Sequence, residues 1–252
     1  MTKTIAVAGK GGVGKTTIAA LLIDLLSKKG TVLAIDADPS SNLNLALGLP
    51  LSETIGGVRE DMLKAVKSRT MPVGIAKLDY LDLKVHEAIV ESPKIDLLAM
   101  GRPEGPGCYC AANNMLRDII DKLENNYDYI VVDNEAGMEH ISRQTTRDVD
   151  VLLLVSDPSL RGVLTANRMK ELIKELRTTV AKIGLVINRT PDGLPPEIDK
   201  AIKDTGLEVW KVLPFDRAIF DMEVKGKPLV ELPADSPVKL GVQEIAQKLG
   251  LT

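Results

Sequence analysis

Apolar residues along this chain fall into two patterns. Short unbroken runs occur at Thr4–Ala8, Thr31–Ile35, Ile95–Met100, Tyr129–Val132, Val151–Val155, Ile183–Ile187 and Val209–Leu213. These are too short for helices and lack polar alternation, the pattern of strands covered on both faces. Between them, apolar positions recur every three or four residues. That spacing predicts helices from the first Gly-rich turn to about Lys28, and over about Ala111–Glu124, Leu160–Leu176, Pro196–Lys203 and Val238–Leu249. Strands alternating with helices predict an α/β fold: a doubly wound, mostly parallel sheet with helices on both faces, formed by residues 1–252 as one domain. In such sheets ligands sit beyond the carboxyl ends of the strands.

The stretch Pro50–Pro93 is the least periodic. Arg59–Lys67 reads as a helix, whereas Leu81, Leu83 and Val85 alternate like a short strand. The stretch is either a peripheral elaboration or a partner-binding insertion.

Composition narrows the picture. A chain of 252 residues buries enough surface to need no disulfide or metal staple. Aromatics are only 3%, so the core must be Val, Ile, Leu and Ala, and stacking platforms for single-stranded nucleic acid are not expected. A net charge of −3 opposes a nucleic-acid footprint. No apolar run approaches the ~20 residues of a membrane-spanning helix, and the first residues show no signal-peptide core. The expectation is a cytoplasmic protein with neither nucleic-acid nor membrane partners.

Gly9-Lys10-Gly11-Gly12-Val13-Gly14-Lys15-Thr16 follows the first strand and opens the first helix, satisfying G-x-x-x-x-G-K-[ST]. Its glycines let backbone N–H groups wrap phosphates. Lys15 reaches the β- and γ-phosphates, and the Thr16 hydroxyl ligates Mg²⁺. Gly9, Gly11 and Gly14 also satisfy the dinucleotide fingerprint G-x-G-x-x-G, with Asp36 ending the second strand. Two features favour a triphosphate: Lys15-Thr16 directly after the last glycine, and Asp133 at the end of Tyr129–Val132, where an acid would hold Mg²⁺. Phosphoryl transfer also needs an acceptor that orients water. Asp38, in Asp36-Ala-Asp38-Pro39, is the first candidate. Asp36 is the second candidate, for the Mg²⁺ shell or as a helix cap. Gly137 lies where a switch loop would sense the γ-phosphate through its N–H. His140 reads as a metal ligand, a proton carrier or a surface polar residue.

Cys108 and Cys110 are the only cysteines, and one intervening residue would strain a disulfide between them. They sit in Gly105-Pro106-Gly107-Cys108-Tyr109-Cys110, a turn ahead of a helix, where thiolate is stabilised. One chain offers two sulfurs, whereas a closed tetrahedral site wants four ligands. Two chains of a symmetric dimer would supply them, and the alternative is a pair of packed free thiols.

Lys10 extends the loop to Lys-Gly-Gly-Val-Gly-Lys-Thr-Thr, Lys10–Thr17. This resembles the deviant Walker A family of SIMIBI-like P-loop NTPases, which includes MinD and ParA ATPases, the nitrogenase iron protein and metallocentre-assembly ATPases. The resemblance implies a homodimer in which Lys10 reaches the partner's nucleotide. It gives Lys10, Lys15 and Asp38 as the catalytic set, and nucleotide contacts from Gly9 through Thr17. It also places adenine against Asn188-Arg189 and Pro214-Phe215-Asp216. An Asn amide suits the adenine edge, and the guanine motif Asn-Lys-x-Asp is absent, which favours ATP/ADP. Together with Gly-x-Cys-Tyr-Cys and Glu135-Ala-Gly-Met-Glu-His140, the chain looks like the CooC branch that matures nickel carbon monoxide dehydrogenase, or the AcsF branch for acetyl-CoA synthase. That branch implies ATP-driven nickel insertion into a client enzyme, with Ni²⁺ or Zn²⁺ held between protomers by Cys108 and Cys110. An iron–sulfur cluster carrier or reductase bridged by the same cysteines, and a positioning ATPase of the MinD or ParA kind, remain as alternatives.

Overall fold

A computed structural model describes residues 1–68, 70, 74, 77–102, 118–135, 148–176, 179–191 and 193–251. Its centre is a seven-stranded sheet: β1 (Lys3–Gly9), β2 (Val32–Asp36), β3 (Ile95–Ala99), β4 (Tyr129–Asp133), β5 (Asp148–Ser156), β6 (Thr179–Thr190) and β7 (Val209–Pro214). Their spatial order is β3-β2-β4-β1-β5-β6-β7, and each neighbouring pair runs parallel. β1 is central, and the chain leaves it first toward β2 and later, after β4, toward β5. This reversal of direction opens a crevice at the carboxyl end of β1.

The helices are α1 (Lys15–Ser27), α2 (Leu43–Leu47), α3 (Ile55–Ser68), α4 (Lys77–Ala88), α5 (Leu160–Leu176), α6 (Pro196–Thr205), α7 (Arg217–Val224) and α8 (Pro237–Leu249). Residues 118–123 are also helical. Period-two alternation within the strands sorts the core onto two faces. Ile5 and Val7 of β1 pack with α1 and α8, while Ala6 and Ala8 face α5 and α6. Leu33 and Ile35 of β2 pack with α3, α4 and residues 118–123.

The seven strands expected from unbroken apolar runs are all present. β6 begins four residues earlier than its apolar run because Thr179–Lys182 continues the ladder beside β5 with exposed or half-buried side chains. α8 lays Val238, Val242, Ile245 and Leu249 into the core. Burying each contributes roughly 1.5–3 kcal/mol. The apolar stripe of this helix is therefore occupied by the sheet. Among the described residues no helix is long and apolar enough to cross a membrane.

The strand expected around Leu81–Val85 is instead helix α4. Leu81, Val85 and Ala88 fall on one helical face and pack on the β2–β4 side, while Leu83 is exposed. Three alternating residues are too few to separate the two periods, and the helical spacing of the buried set decides. α2 and α7, of five and eight residues, fall below the window in which periodicity is informative.

Candidate nucleotide site

The loop between β1 and α1 has little freedom. A Cβ on Gly9 would lie 2.2 Å from the Val155 carbonyl oxygen of β5. Gly14 has φ +91°, and a Cβ there would lie 2.4 Å from Asn188 Nδ2. Only glycine meets both conditions. Gly14 also occupies the N-cap of α1, and among the described residues no side chain caps that helix. The first N–H groups of α1 are thus left for an anion.

Lys15 is the first residue of α1 and is buried, with Nζ donating to the Lys10 carbonyl at 3.3 Å. Burial lowers its pKa, opposed by the nearby carboxylates of Asp133, Asp38 and Glu135. A phosphate would add a further negative partner and offset that desolvation.

Parallel register places Asp36 directly opposite Asp133. Both carboxyls are buried. Burial raises Asp36 to about 6, although N–H groups of Leu43 and Asp38 oppose the shift. Its Oδ1 accepts from Asp38 N at 3.0 Å and its Oδ2 from Leu43 N at 2.8 Å. Asp36 therefore shapes the loop to α2. Burial raises Asp133 to about 7, tempered by the Thr16 hydroxyl donating to Oδ2 at 2.6 Å. Asp133 Oδ1 is buried and has no hydrogen-bond partner among the described residues. A buried acceptor left unpaired costs roughly 1–3 kcal/mol. An orphaned carboxylate oxygen beside a Thr hydroxyl fits Mg²⁺ with its water shell, because hard oxygen donors suit that ion.

Asp38 lies on the loop after β2, where Oδ1 accepts from Ser40 N at 2.8 Å. Lys10 is half exposed, and its Nζ lies 3.6 Å from Asp157 Oδ2, just past β5. Asp157 is itself tied to Ser159 Oγ at 2.5 Å. The motif reading did not single out Asp157, although its place at a strand's carboxyl end was a usable signal. Asn134 was missed as well. Its Nδ2 donates to Val7 O at 3.0 Å, tying the end of β4 to β1.

A cavity of about 260 Å³ adjoins the loop, lined by Thr17, Asn188, Arg189, Pro214, Phe215, Asp216 and residues of α7. The expected base-contacting residues from β6 and β7 thus converge. Asn188 Nδ2 donates to Val13 O at 2.9 Å and Arg189 Nη1 to Gly12 O at 2.8 Å. Both bonds fasten the cavity wall to the phosphate loop. Asp216 is the N-cap of α7: Oδ1 accepts from Ala218 N at 2.8 Å and Oδ2 from Ser236 Oγ at 2.6 Å. Phe215 and Phe220 are about half exposed, with ring centroids 6.5 Å apart. Glu223, which the sequence reading did not single out, also lines this cavity. Gly137, His140, Cys108 and Cys110 lie outside the described residues.

Residues 4–229 match the CobQ/CobB/MinD/ParA nucleotide-binding domain. The chain belongs to that family. An ATP-binding protein of Methanocaldococcus jannaschii, itself uncharacterised, is 47% identical over 97% of both chains. The carbon monoxide dehydrogenase accessory protein CooC of Rhodospirillum rubrum is 36% identical, covering 85% of this chain and 84% of its own. Among solved structures, a ParA family ATPase from Chlorobium tepidum superposes with TM-score 0.72 at 24% identity, covering 98% of each chain. MinD of Pyrococcus horikoshii, complexed with Mg-ADP, gives 0.69 at 22% identity, covering 98% of this chain and 96% of MinD. At these identities the structural likeness establishes the fold. As a CobQ/CobB/MinD/ParA family member, the protein is an ATP-binding P-loop ATPase.

Proposed function

We propose that this ATPase is a cytoplasmic metallochaperone acting as a homodimer, with the whole chain as one catalytic domain. Its cargo is Ni²⁺, or Zn²⁺, held between two protomers by Cys108 and Cys110. Its client is a nickel enzyme of the carbon monoxide dehydrogenase or acetyl-CoA synthase kind. The observation that carries this reading is the 36% identity to CooC over 85% of the chain, in a sequence whose only two cysteines form Cys-x-Cys.

In this reading the phosphates lie on the N–H groups of Gly11–Thr17, and Lys15 neutralises the β- and γ-oxygens. Thr16 and Asp133 hold Mg²⁺, which supplies charge neutralisation on the transferring phosphoryl group. Asp133 acts in its ionised form, so binding draws a proton from the carboxyl that burial holds near 7. Asp38 orients the attacking water, and Asp36 keeps the Asp38 loop in place through its two N–H bonds. Lys10 exchanges Asp157 for the partner's nucleotide when two protomers close. Gly137 senses the γ-phosphate. Closure brings the cysteines of the two chains together, and hydrolysis releases them with the cargo.

Metal content and mass, measured with and without ATP, test this. The expected result is about one Ni²⁺ or Zn²⁺ per two chains, lost in the Cys108→Ser/Cys110→Ser double variant while ATP binding persists. Unchanged metal binding in that variant overturns the reading. A visible absorption band after anaerobic purification would instead support an iron–sulfur carrier. The fold shared with MinD and ParA favours a positioning ATPase as second reading. Co-sedimentation with liposomes or DNA in the presence of ATP would support it.

A further inference from the structure

Asp157, one residue past β5, is held more firmly than a partly exposed carboxylate needs to be. Its Oδ1 accepts from Ser159 Oγ at 2.5 Å. Its backbone carbonyl accepts from Ser156 Oγ and from Ser159 N, both at 2.8 Å. Ser159 Oγ in turn accepts from Gly162 N at 3.1 Å, so one hydroxyl both caps the first turn of α5 and steers the carboxylate. Gly162 completes the seat, because a Cβ there would lie 2.3 Å from Asp157 Oδ1. The carboxylate is therefore fixed in place by the strand end on one side and the helix start on the other.

With Oδ1 taken, Oδ2 faces Lys10, whose Nζ lies 3.6 Å away. The two residues meet because β5 runs beside β1, with Gly9 opposite Val155. The Lys10 backbone is also engaged, since its carbonyl accepts from Lys15 Nζ. The arrangement is a fixed anion beside a cation on a long, half-exposed side chain. Such a pair opens by rotating the lysine alone, without moving the carboxylate.

We infer that Asp157 is a positioning residue: it holds Lys10 within its own protomer and so sets the concentration at which ATP-loaded protomers pair. This rests on the proposed reading in which Lys10 serves the partner's nucleotide. A symmetric dimer must break the pair twice, once in each chain. An ion pair this exposed shifts an equilibrium by about two- to fivefold, so two of them shift dimerisation by about four- to twenty-five-fold. Dilute protomers are thereby kept apart. The hold also weakens with salt, which screens partly exposed charges.

The test is sedimentation velocity with Mg²⁺ and the slowly hydrolysed analogue ATPγS, at about 0.05 M and about 1 M salt. It compares the wild type, Asp157→Asn, Lys10→Ala and the double variant. Asparagine can still accept from Ser159 Oγ, so the substitution removes the charge and keeps the anchor. At low salt Asp157→Asn should pair at a protomer concentration about four- to twenty-five-fold lower than the wild type. At high salt the gap should close to within about twofold, a dependence that a merely structural role would not show. Lys10→Ala should weaken the dimer, and adding Asp157→Asn to it should change nothing further. If Asp157→Asn pairs no more readily than the wild type while Lys10→Ala is still weakened, the inference alone is overturned. A gain that persists at high salt, or in the absence of Lys10, overturns it equally. A wild type that stays monomeric with ATPγS, or a Lys10→Ala dimer as tight as the wild type, overturns the reading of Lys10 and the inference with it.

Discussion

The phosphate end and the base end of the candidate site are built differently. At the phosphate end Lys15, Asp36 and Asp133 are buried within the sheet's carboxyl edge, and burial perturbs all three pKa values. At the base end Phe215 and Phe220 are about half exposed and Glu223 is exposed, on and beside α7. The first end is desolvated in advance, so an arriving phosphate and Mg²⁺ meet charges that water does not screen. The second is a wall against which a flat ring can settle at little cost to the protein. In the proposed reading affinity and chemistry belong to the first end and the seating of the base to the second.

The largest effect that bears on this contrast should come from Lys15→Ala. Removing the buried cation should weaken ATP binding by roughly a hundredfold or more in calorimetric titration. A loss below fivefold would show that the phosphate end does not carry affinity. Asp38→Ala should come next: ATP affinity within a few-fold of wild type, with turnover reduced by about 10² or more in steady-state phosphate release. Retained turnover would remove Asp38 from the mechanism.

A third effect concerns stability without ligand. In the unfolded chain both carboxyls ionise near 3.8, whereas in the folded protein Asp36 and Asp133 keep their protons to about 6 and about 7. The folded state therefore binds more protons across that window, and the contribution of these groups to stability falls as pH rises from about 4 to about 7. Thermal denaturation without nucleotide or Mg²⁺ should show Tm declining over this range. Asp133→Asn should flatten the upper part and raise Tm by a few degrees at neutral pH. A Tm rising through that window in the wild type, or an unchanged slope in the variant, would contradict the assignment of burial as the cause. The smallest effect belongs to the base end. Phe215→Ala should weaken ATP by only about two- to fivefold, since the ring is half exposed. A loss as large as that of Lys15→Ala would erase the contrast.

The same division explains what could be read from the amino-acid string. Gly9–Thr16 announces its geometry because close backbone approach and positive φ demand glycine at fixed spacing. Asp133 was legible because an apolar strand ends on it. Asp36 could be located but not understood: its two bonds to Asp38 N and Leu43 N come from the fold of a loop that no motif describes. Asp216 looked like a base contact, yet its carboxylate caps a helix too short to show periodicity. Glu223, on the same helix, was invisible for the same reason. Around residues 81–85, alternation over three positions suggested a strand, and only the packing of Val85 and Ala88 on the sheet reveals the helix.

The pairing of β4 makes the location of Asp133 a matter of counting. Its residues run in step with both β1 and β2, so Asp133 faces Val7 on one side and Asp36 on the other. One residue inserted within β4 would rotate that carboxyl to the opposite face. The connector between β2 and β3 is under no such discipline beyond its first residues: it accommodates α2, α3 and α4 without disturbing either ladder. Tags or reporter segments should therefore be spliced between α2, α3 and α4, away from the phosphate loop and the Asp38 loop, and never into a strand, by anyone who wants the ATPase to survive the graft.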